Sequence, residues 1–273
     1  MRSDREDQPR LRPPVGSVAW ERAGGPPLSL GEKASLLAGA GVVVLRDLGP
    51  RMRFALRRWG FPQAAPPPKV DLAAWSPPDT RAAREANELL RAVSTPQMVN
   101  HCLRTYCFSA ILCEQTGGTR EVDRETLYVA AALHDVGLFE PSLATEHCFS
   151  VTSAREARRI ASAAGWDEAR QDRVAMAITS NLNSSVSARE SGPEAHYLSV
   201  GGLVEVIAQE WKVHPDNLAE VLARHPRDGF AADALSHVAT ETKRHPGGRF
   251  ACLDPLFPFL VRHSRFSLEA RRA

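Results

Sequence analysis

Residues 127–138 read LYVAAALHDVGL, an apolar run that ends in an adjacent histidine and aspartate. Because every neighbour of His134 and Asp135 in this run is apolar, the segment is predicted to be a helix buried on all sides. A buried charge without a partner is very costly. The pair is therefore expected either to hold a metal ion or to form a structural cap at the helix terminus, and the residue types favour the metal.

Two other apolar helical segments are interrupted by a residue of a metal-ligand type. His101 lies on the flank of an apolar stripe, where a hydrogen-bonded core histidine is the alternative to a ligand. Glu205 is the only ionisable group in the apolar run 201–207. Charged side chains are almost never fully buried without a partner, so Glu205 either faces solvent or meets a cation. Two glycines before it, Gly201 and Gly202, would let this helix approach a neighbour closely.

The rest of the chain has the periodicity of successive helices and no alternating strand pattern. Ser29 and Glu32 form a capping-box pattern that predicts a helix to about residue 48, followed by a short helix over 51–59 and a proline-rich linker over 62–78. Further helix starts are predicted at Asp79, Thr95, Asp123, Thr152 or Ser153, Asp167, Gly192, Pro215, Asp228 and Pro255, with the helix after Gly192 ending near Trp211. Helix after helix with short loops predicts an all-α bundle.

The composition narrows the class of protein. There are 34 basic and 32 acidic residues, a formal net charge of +2, which gives no reason to expect nucleic acid or an anionic membrane as a partner. No apolar stretch approaches the roughly 20 residues of a membrane span, and the N-terminus lacks the apolar stretch of a secretory signal. Five cysteines without a C-x-x-C pair favour reduced thiols in the cytoplasm. A small-molecule substrate is expected, and no pattern indicates an oligomeric state.

These segments resemble the HD-domain superfamily, whose pattern is a histidine, then His-Asp, then a later aspartate, and most closely its cyanamide hydratase-like branch. The likeness covers about residues 70–250. Its motifs are SPPDTRAAREANELLRAVSTPQMVNHCLRTYCFSAIL at 76–112, ETLYVAAALHDVGL at 125–138, CFSVTSAREARRI at 148–160 and VLARHPRDGFAADAL at 221–235. Residues 1–27 are polar and rich in Pro, Gly and Arg, which predicts a disordered arm, and residues 28–69 are predicted to form a helical extension and linker. The resemblance implies an HD-domain helical bundle over 70–265.

The resemblance implies that His101, His134 and Asp135 are metal ligands. Glu205 stands where the family has its last aspartate ligand, so it is the expected fourth ligand with a carboxylate one methylene longer. Mixed nitrogen and oxygen ligation suits a divalent metal ion, with Zn²⁺ expected first and Fe²⁺ or Mn²⁺ as alternatives.

Two positions depart from the patterns of related enzymes. Thr179 occupies a position at which related hydratases tend to carry a histidine. Leu138 replaces the charged residue that phosphohydrolases and cyclic-dinucleotide phosphodiesterases of the superfamily usually place three residues after the motif aspartate, as the hydratase branch also does. Phosphate chemistry is therefore disfavoured.

The expected catalytic residues are Asp135, Thr179 and His147, and the expected substrate-pocket residues are Asn100, Arg104, Ser180 and Asn181. For His147 a surface-loop histidine is the alternative, and for Arg104 the alternative is a structural pair with a carboxylate.

Together these features predict a metal-dependent hydrolase or hydratase that uses a metal-activated water on a nitrile- or cyanamide-like small molecule. The alternatives are an HD phosphohydrolase acting on a nucleotide or other phosphate ester, a repurposed tailoring enzyme, and a catalytically inactive scaffold stabilised by its metal.

Overall fold

The computed structural model describes residues 12–62, 64–139 and 146–264. Within these ranges the chain forms α-helices and short 3₁₀ turns and no strand. The helices are α1 (Val18–Arg22), α2 (Leu30–Leu56), α3 (Arg81–Val93), α4 (Pro96–Gln115), α5 (Arg124–Leu133), α6 (Phe149–Ala163), α7 (Glu168–Ser180), α8 (Ala188–Ser191), α9 (Pro193–Ile207), α10 (Pro215–Arg224), α11 (Phe230–Arg244), α12 (Arg249–Leu253) and α13 (Leu256–Arg262). The predicted all-α fold class is confirmed.

Side-chain caps explain where several helices begin. Ser29 and Glu32 form the predicted capping box at the start of α2. Thr95 accepts a hydrogen bond from a backbone N–H of the first turn of α4, and Asp123 and Asp167 do the same for α5 and α7. Each cap satisfies a backbone donor that has no partner inside its helix.

Some helix boundaries differ from the prediction. α2 does not end near residue 48 but continues through Pro50 to Leu56, and Arg51 within this stretch donates to the carbonyl of Ile207 at 2.7 Å. This contact with the end of α9 lies one residue beyond the proline and holds the second half of α2 against the rest of the bundle. α3 begins after Thr80 rather than Asp79, because the Thr80 hydroxyl accepts from the N–H of Ala83.

Three later boundaries also differ from the prediction. α6 begins at Phe149, before the predicted start at Thr152 or Ser153, because the Phe149 N–H donates to the buried Glu241 carboxylate at 3.0 Å and fixes the first turn. α9 ends at Ile207 rather than near Trp211, because Ala208 takes a left-handed conformation with φ 55°. α11 begins after Gly229 rather than at Asp228.

The segment predicted to be a disordered arm over 1–27 is packed wherever the structure describes it. Trp20 in α1 is only 3% exposed, and Arg22 forms ion pairs at 2.9 Å with Glu168 and Asp172 of α7. The prediction is therefore wrong for residues 12–27, because an aromatic side chain and an ion-pair network fix this segment to the bundle. Residues 1–11 lie outside the described residues.

The core is built around α4 and α5, which pack against α9, α7 and α3. α4 and α9 approach each other closely at Gly201, where a Cβ would lie 2.2 Å from the hydroxyl of Ser109 and 2.7 Å from its backbone nitrogen. The close approach predicted from the glycine pair is thus present at Gly201. No helix in the described ranges combines the length and the hydropathy that crossing a bilayer requires.

Replacing two helical glycines with alanine is expected to change the free energy of unfolding in opposite directions. Gly201→Ala should destabilise the protein by about 1–3 kcal/mol, because the added methyl group has no space against the backbone of α4. Gly41→Ala should stabilise it by about 0.5–1 kcal/mol, because a Cβ at this α2 position meets no atom within 4 Å and alanine is the better helix former. Denaturant unfolding checks both, and equal effects of the two changes would contradict the described contact of α4 with α9.

Candidate metal centre

Three side chains of metal-ligand type converge at the end of α5. His101 lies in α4 and is 3% exposed, His134 is the residue that follows the last turn of α5, and Asp135 comes directly after it. The tight turn over 136–138 is fixed by Gly137, at which a Cβ would lie 2.1 Å from the backbone oxygen of Phe149. Because only glycine permits this backbone contact with α6, Gly137 determines how the loop presents Asp135.

The ligand atoms of the three residues form a nearly equilateral triangle. His101 Nε2 is 3.2 Å from His134 Nε2 and 3.3 Å from Asp135 Oδ2, and His134 Nε2 is 3.4 Å from the same oxygen. Atoms that share an ion at about 2.0–2.1 Å are separated from one another by about 3.3–3.4 Å in tetrahedral coordination and by about 2.8–3.0 Å between neighbours in octahedral coordination. The spacing therefore fits three ligands of one divalent ion.

Hydrogen bonds on the other side of each imidazole favour the tautomer that a ligand needs. His134 Nδ1 lies 2.8 Å from the carbonyl of Ala131, and His101 Nδ1 lies 3.3 Å from the carboxylate of Glu205. Because both partners accept, both Nδ1 atoms carry the proton, and both Nε2 lone pairs face Asp135 and each other. Three acceptor atoms this close require a cation or a proton between them.

The pKa shifts agree with this arrangement. Burial lowers the pKa of His134 below its usual value and so favours the neutral imidazole. Burial alone would also lower the pKa of His101, but hydrogen bonds and charges from Asp135 and Glu205 outweigh it and raise the pKa. Burial acts to raise the pKa of Asp135, whereas His134 and His101 hold it below its usual value. His101 is thus the one ligand at which a proton competes strongly with a metal ion.

Glu205 lies outside the triangle, on the far side of the His101 ring. It is completely buried, and its carboxylate accepts from Arg104 Nη2 at 2.6 Å and from Arg227 Nε at 3.0 Å. Burial alone would raise the pKa of Glu205, but the charges of Arg227 and Arg104 outweigh it and hold the pKa well below the usual range. The expected fourth ligand therefore does not join the triangle, because its carboxylate is held by Arg104 and Arg227 and by Nδ1 of His101.

Most of the other expected site residues do not reach the cavity beside the triangle. The hydroxyl of Thr179 is buried and points at the carbonyls of Gly16 at 2.7 Å and Ala175 at 2.9 Å, so it does not face a substrate. Ser180 donates to the carbonyl of Met176 at 2.7 Å. His147 Nδ1 bonds the carbonyl of Gly24 at 3.1 Å. These three predictions are corrected, since each side chain is engaged by backbone away from the cavity.

The expected pocket residues separate into two groups. Asn181 lies on the wall of the cavity, next to Gly202, whereas Asn100 and Arg104 are not among the residues that line it. Arg104 is completely buried, and besides Glu205 it donates to the carbonyls of His225 and Pro226. Arg104 therefore forms the structural pair with a carboxylate that was the alternative to a role in the substrate pocket.

Three residues at the site were not singled out from the sequence. Arg227 completes the pairing of Glu205, Phe230 stacks on the His101 ring at 4.8 Å, and His237 is near enough to Asp135 to contribute to its lowered pKa. Arg227 and Phe230 belong to the motif at 221–235, which could have pointed to them. His237 gives no signal, because a single histidine in an amphipathic helix looks like many surface residues.

The affinity for Zn²⁺ should depend on pH as expected when one proton is released on metal binding. The pKa of His101 is raised above 6.5, whereas those of His134 and Asp135 are lowered, so only His101 must lose a proton when metal binds near neutral pH. Affinity should fall about tenfold for each pH unit below the pKa of His101. Competition with a chromophoric chelator from about pH 5 to 8 measures this, and an affinity that does not change with pH would contradict it.

Comparisons with known proteins agree with this geometry. A family model described as HD domain matches residues 98–248, more than half of the chain, and includes all three ligand positions. Cyanamide hydratase DDI2 and cyanamide hydratase DDI3 of Saccharomyces cerevisiae are each 25% identical to the chain over 203 residues, which cover 71% of this chain and 85% of the relative. The chain therefore belongs to the HD-domain family.

Proposed function

We propose that the protein is a metal-dependent hydratase that adds water across the carbon–nitrogen triple bond of a neutral small molecule. His101, His134 and Asp135 would hold the ion, which supplies Lewis acidity and makes a water molecule more acidic when it is bound. In the reaction the water oxygen bonds to the nitrile carbon and one water proton is transferred to the nitrogen, which gives an imidic acid. Movement of the second proton from oxygen to nitrogen then gives an amide, or urea from cyanamide. The names of the two yeast relatives support this reaction class.

The observation that carries the proposal is that no lysine or arginine of the described residues lies on the cavity wall. Among the described residues, the ionisable groups that line the cavity are His101, His134 and Asp135, and none is a lysine or arginine. Arg104 and Arg227, the arginines nearest to the ligands, are both paired with Glu205 on the opposite side of His101. Phosphate esters are usually bound by such cationic donors, so the cavity suits an uncharged substrate.

Leu138 supports the same choice. Its side chain is 3% exposed and lies on the cavity wall, at the position where phosphohydrolases of the superfamily usually have a charged residue. An apolar residue there adds nothing to phosphate binding and helps to exclude bulk water, which strengthens electrostatic interactions at the ligands.

Three side chains, those of Asp135, Glu205 and Asn181, have distinct roles in this mechanism. Asp135 orients the attacking water through its carboxylate, which its two imidazole neighbours keep ionised. Glu205 holds the Nδ1 proton of His101 and so keeps Nε2 directed at the centre. Asn181, on the wall, offers an amide that hydrogen-bonds the substrate nitrogen or the product oxygen.

The test is a parallel assay of hydration and of phosphate release. Protein loaded with Zn²⁺, Fe²⁺ or Mn²⁺ is incubated with cyanamide, with alkyl nitriles and with a panel of nucleotides, and amide or urea formation is measured beside phosphate release. Hydration that requires metal and is lost in His134→Ala supports the proposal. Phosphate release without hydration would assign the protein to the phosphohydrolases. Metal-dependent stability without turnover of any substrate would indicate the scaffold alternative.

A further inference from the structure

The cavity beside the ligands extends well beyond them. Its volume is about 140 Å³, and its wall includes residues of two separate apolar clusters. One cluster contains Leu138 and Phe230 and lies beside the ligands, and the other contains Leu36 and Leu253 and lies under α2. The cavity therefore runs from the metal-ligand triangle to α2.

Away from the ligands the wall is almost entirely apolar. α2 contributes Leu36, Ala40, Val43 and Val44, which share one face of the helix, and α9, α11, α12 and α13 contribute further aliphatic and aromatic side chains. Two polar residues on the wall are already engaged by backbone, since Asn183 donates to the carbonyl of Val15 and Ser184 to that of Leu36.

The wall formed by α2 is held in place by specific contacts. Gly39 lies so close to Ser184 that a Cβ would be 2.2 Å from its hydroxyl, and the buried side chain of Asp47 accepts a hydrogen bond from Gln209. Arg51 donates to the carbonyl at the end of α9. α2 is thus fixed within the stretch that lines the cavity and just after it, which makes the apolar space a formed part of the site.

Cyanamide would leave this space empty, because it has no carbon chain. Binding sites are lined by apolar side chains where the ligand itself presents apolar surface to bury. We propose that the substrate carries its reacting group on an elongated apolar body, an alkyl or arylalkyl chain, which lies between α2, α9 and α13 while the reacting group meets the ligand triangle. For the reacting group of the substrate, the inference rests on the proposed function. For its apolar body, the inference rests on the cavity alone.

Two series of probes separate these two parts. n-Alkanols of increasing length are titrated calorimetrically into metal-free protein, which tests the cavity without any reaction. N-Alkylcyanamides of the same lengths are assayed for hydration by metal-loaded protein. Dissociation constants of the alkanols and KM values of the cyanamides should fall about fourfold for each added methylene until the chain fills the cavity.

Substitutions in α2 and in α11 test whether the dependence of binding on alkyl length arises in the cavity. Ala40→Phe in α2 and Ala234→Leu in α11 both add volume to the cavity wall and should abolish the gain in affinity for longer chains. Ala38→Phe is the matched control, because Ala38 is exposed on the same helix. Thermal unfolding shows that each variant is folded, and Ala234→Leu decides the question if Ala40→Phe does not fold.

The outcomes distinguish the inference from the proposed function. If alkanol affinity rises with length and no cyanamide is hydrated, the apolar subsite stands and the proposed reaction fails. If cyanamide itself is hydrated and neither series depends on length, the reaction stands and the inference is overturned. Equal effects of Ala40→Phe and Ala38→Phe would also overturn it, because the effect would not arise in the cavity.

Discussion

Replacing His134 with alanine, or Asp135 with asparagine, is expected to reduce metal affinity by more than about 100-fold and to abolish turnover. Loss of a residue that merely supports a ligand typically costs 10–100-fold in affinity, so loss of a ligand itself should cost more. His134 and Asp135 supply two of the three atoms of the ligand triangle, and no other carboxylate or imidazole of the described residues joins that group. Metal content after purification and the affinity for Zn²⁺ measure the effect.

The control for this pair is His196→Ala. His196 lies on the first turn of α9, where its Nδ1 bonds the carbonyl of Val186 at 2.7 Å. Metal content should be unchanged in this variant. Full metal content in His134→Ala and Asp135→Asn would show that the ion binds elsewhere and would remove the basis of the proposed mechanism.

The Glu205→Gln variant is expected to lose at least about 3 kcal/mol of stability, because it removes the buried carboxylate charge that Arg104 and Arg227 share. Glutamine keeps an acceptor atom and the length of the side chain, so the loss reports on charge. The unfolding temperature should fall by about 10 °C. Metal affinity should fall about 10–100-fold as well, because His101 loses the carboxylate that accepts from its Nδ1.

The pH dependence of this loss has a defined sign. The pKa of Glu205 in the folded protein lies well below the ordinary 4.5, so the ionised side chain stabilises the fold fully above about pH 4.5. This stabilisation is lost as the pH falls through the folded-state pKa. The difference between Glu205→Gln and the unaltered protein should therefore shrink in acid.

Two further substitutions make the Glu205 experiment specific. Glu205→Asp keeps the charge and shortens the side chain to the length that the family pattern has at this position. If the longer side chain is needed to reach both arginines, this variant should be intermediate in stability. Glu190→Gln, at an exposed position of α8, should leave stability unchanged. A stable Glu205→Gln variant would mean that the two arginines find other acceptors.

Two of the three converging residues, His134 and Asp135, could be predicted from the residues alone, because their signal is local. His134 and Asp135 are adjacent in an apolar run, and the cost of burying them unpaired is a property of the side chains alone. The helical periodicity, the caps at Thr95, Asp123 and Asp167 and the all-α class are local in the same sense. These predictions needed no knowledge of which helices touch.

The residues around the ligands were harder to predict, because their roles depend on contacts between distant parts of the chain. Thr179 looked like a pocket residue only by its place in a motif, and its hydroxyl is engaged by the carbonyl of Gly16, 163 positions away. Residues 12–27 looked disordered by composition, yet Trp20 is buried in the bundle. In both cases a packed N-terminal segment decides the outcome.

By itself, the sequence determined the helical class and singled out His134 and Asp135, because periodicity and side-chain chemistry act over a few positions. His101 joined them through the resemblance of its motif to the family pattern. Only the tertiary structure decided that Glu205 pairs with Arg104, 101 positions away, and faces away from the triangle. Only the tertiary structure placed α2 as a wall of an apolar cavity. Both depend on which surfaces meet across long stretches of chain, and a buried charge or an apolar face does not specify its partner.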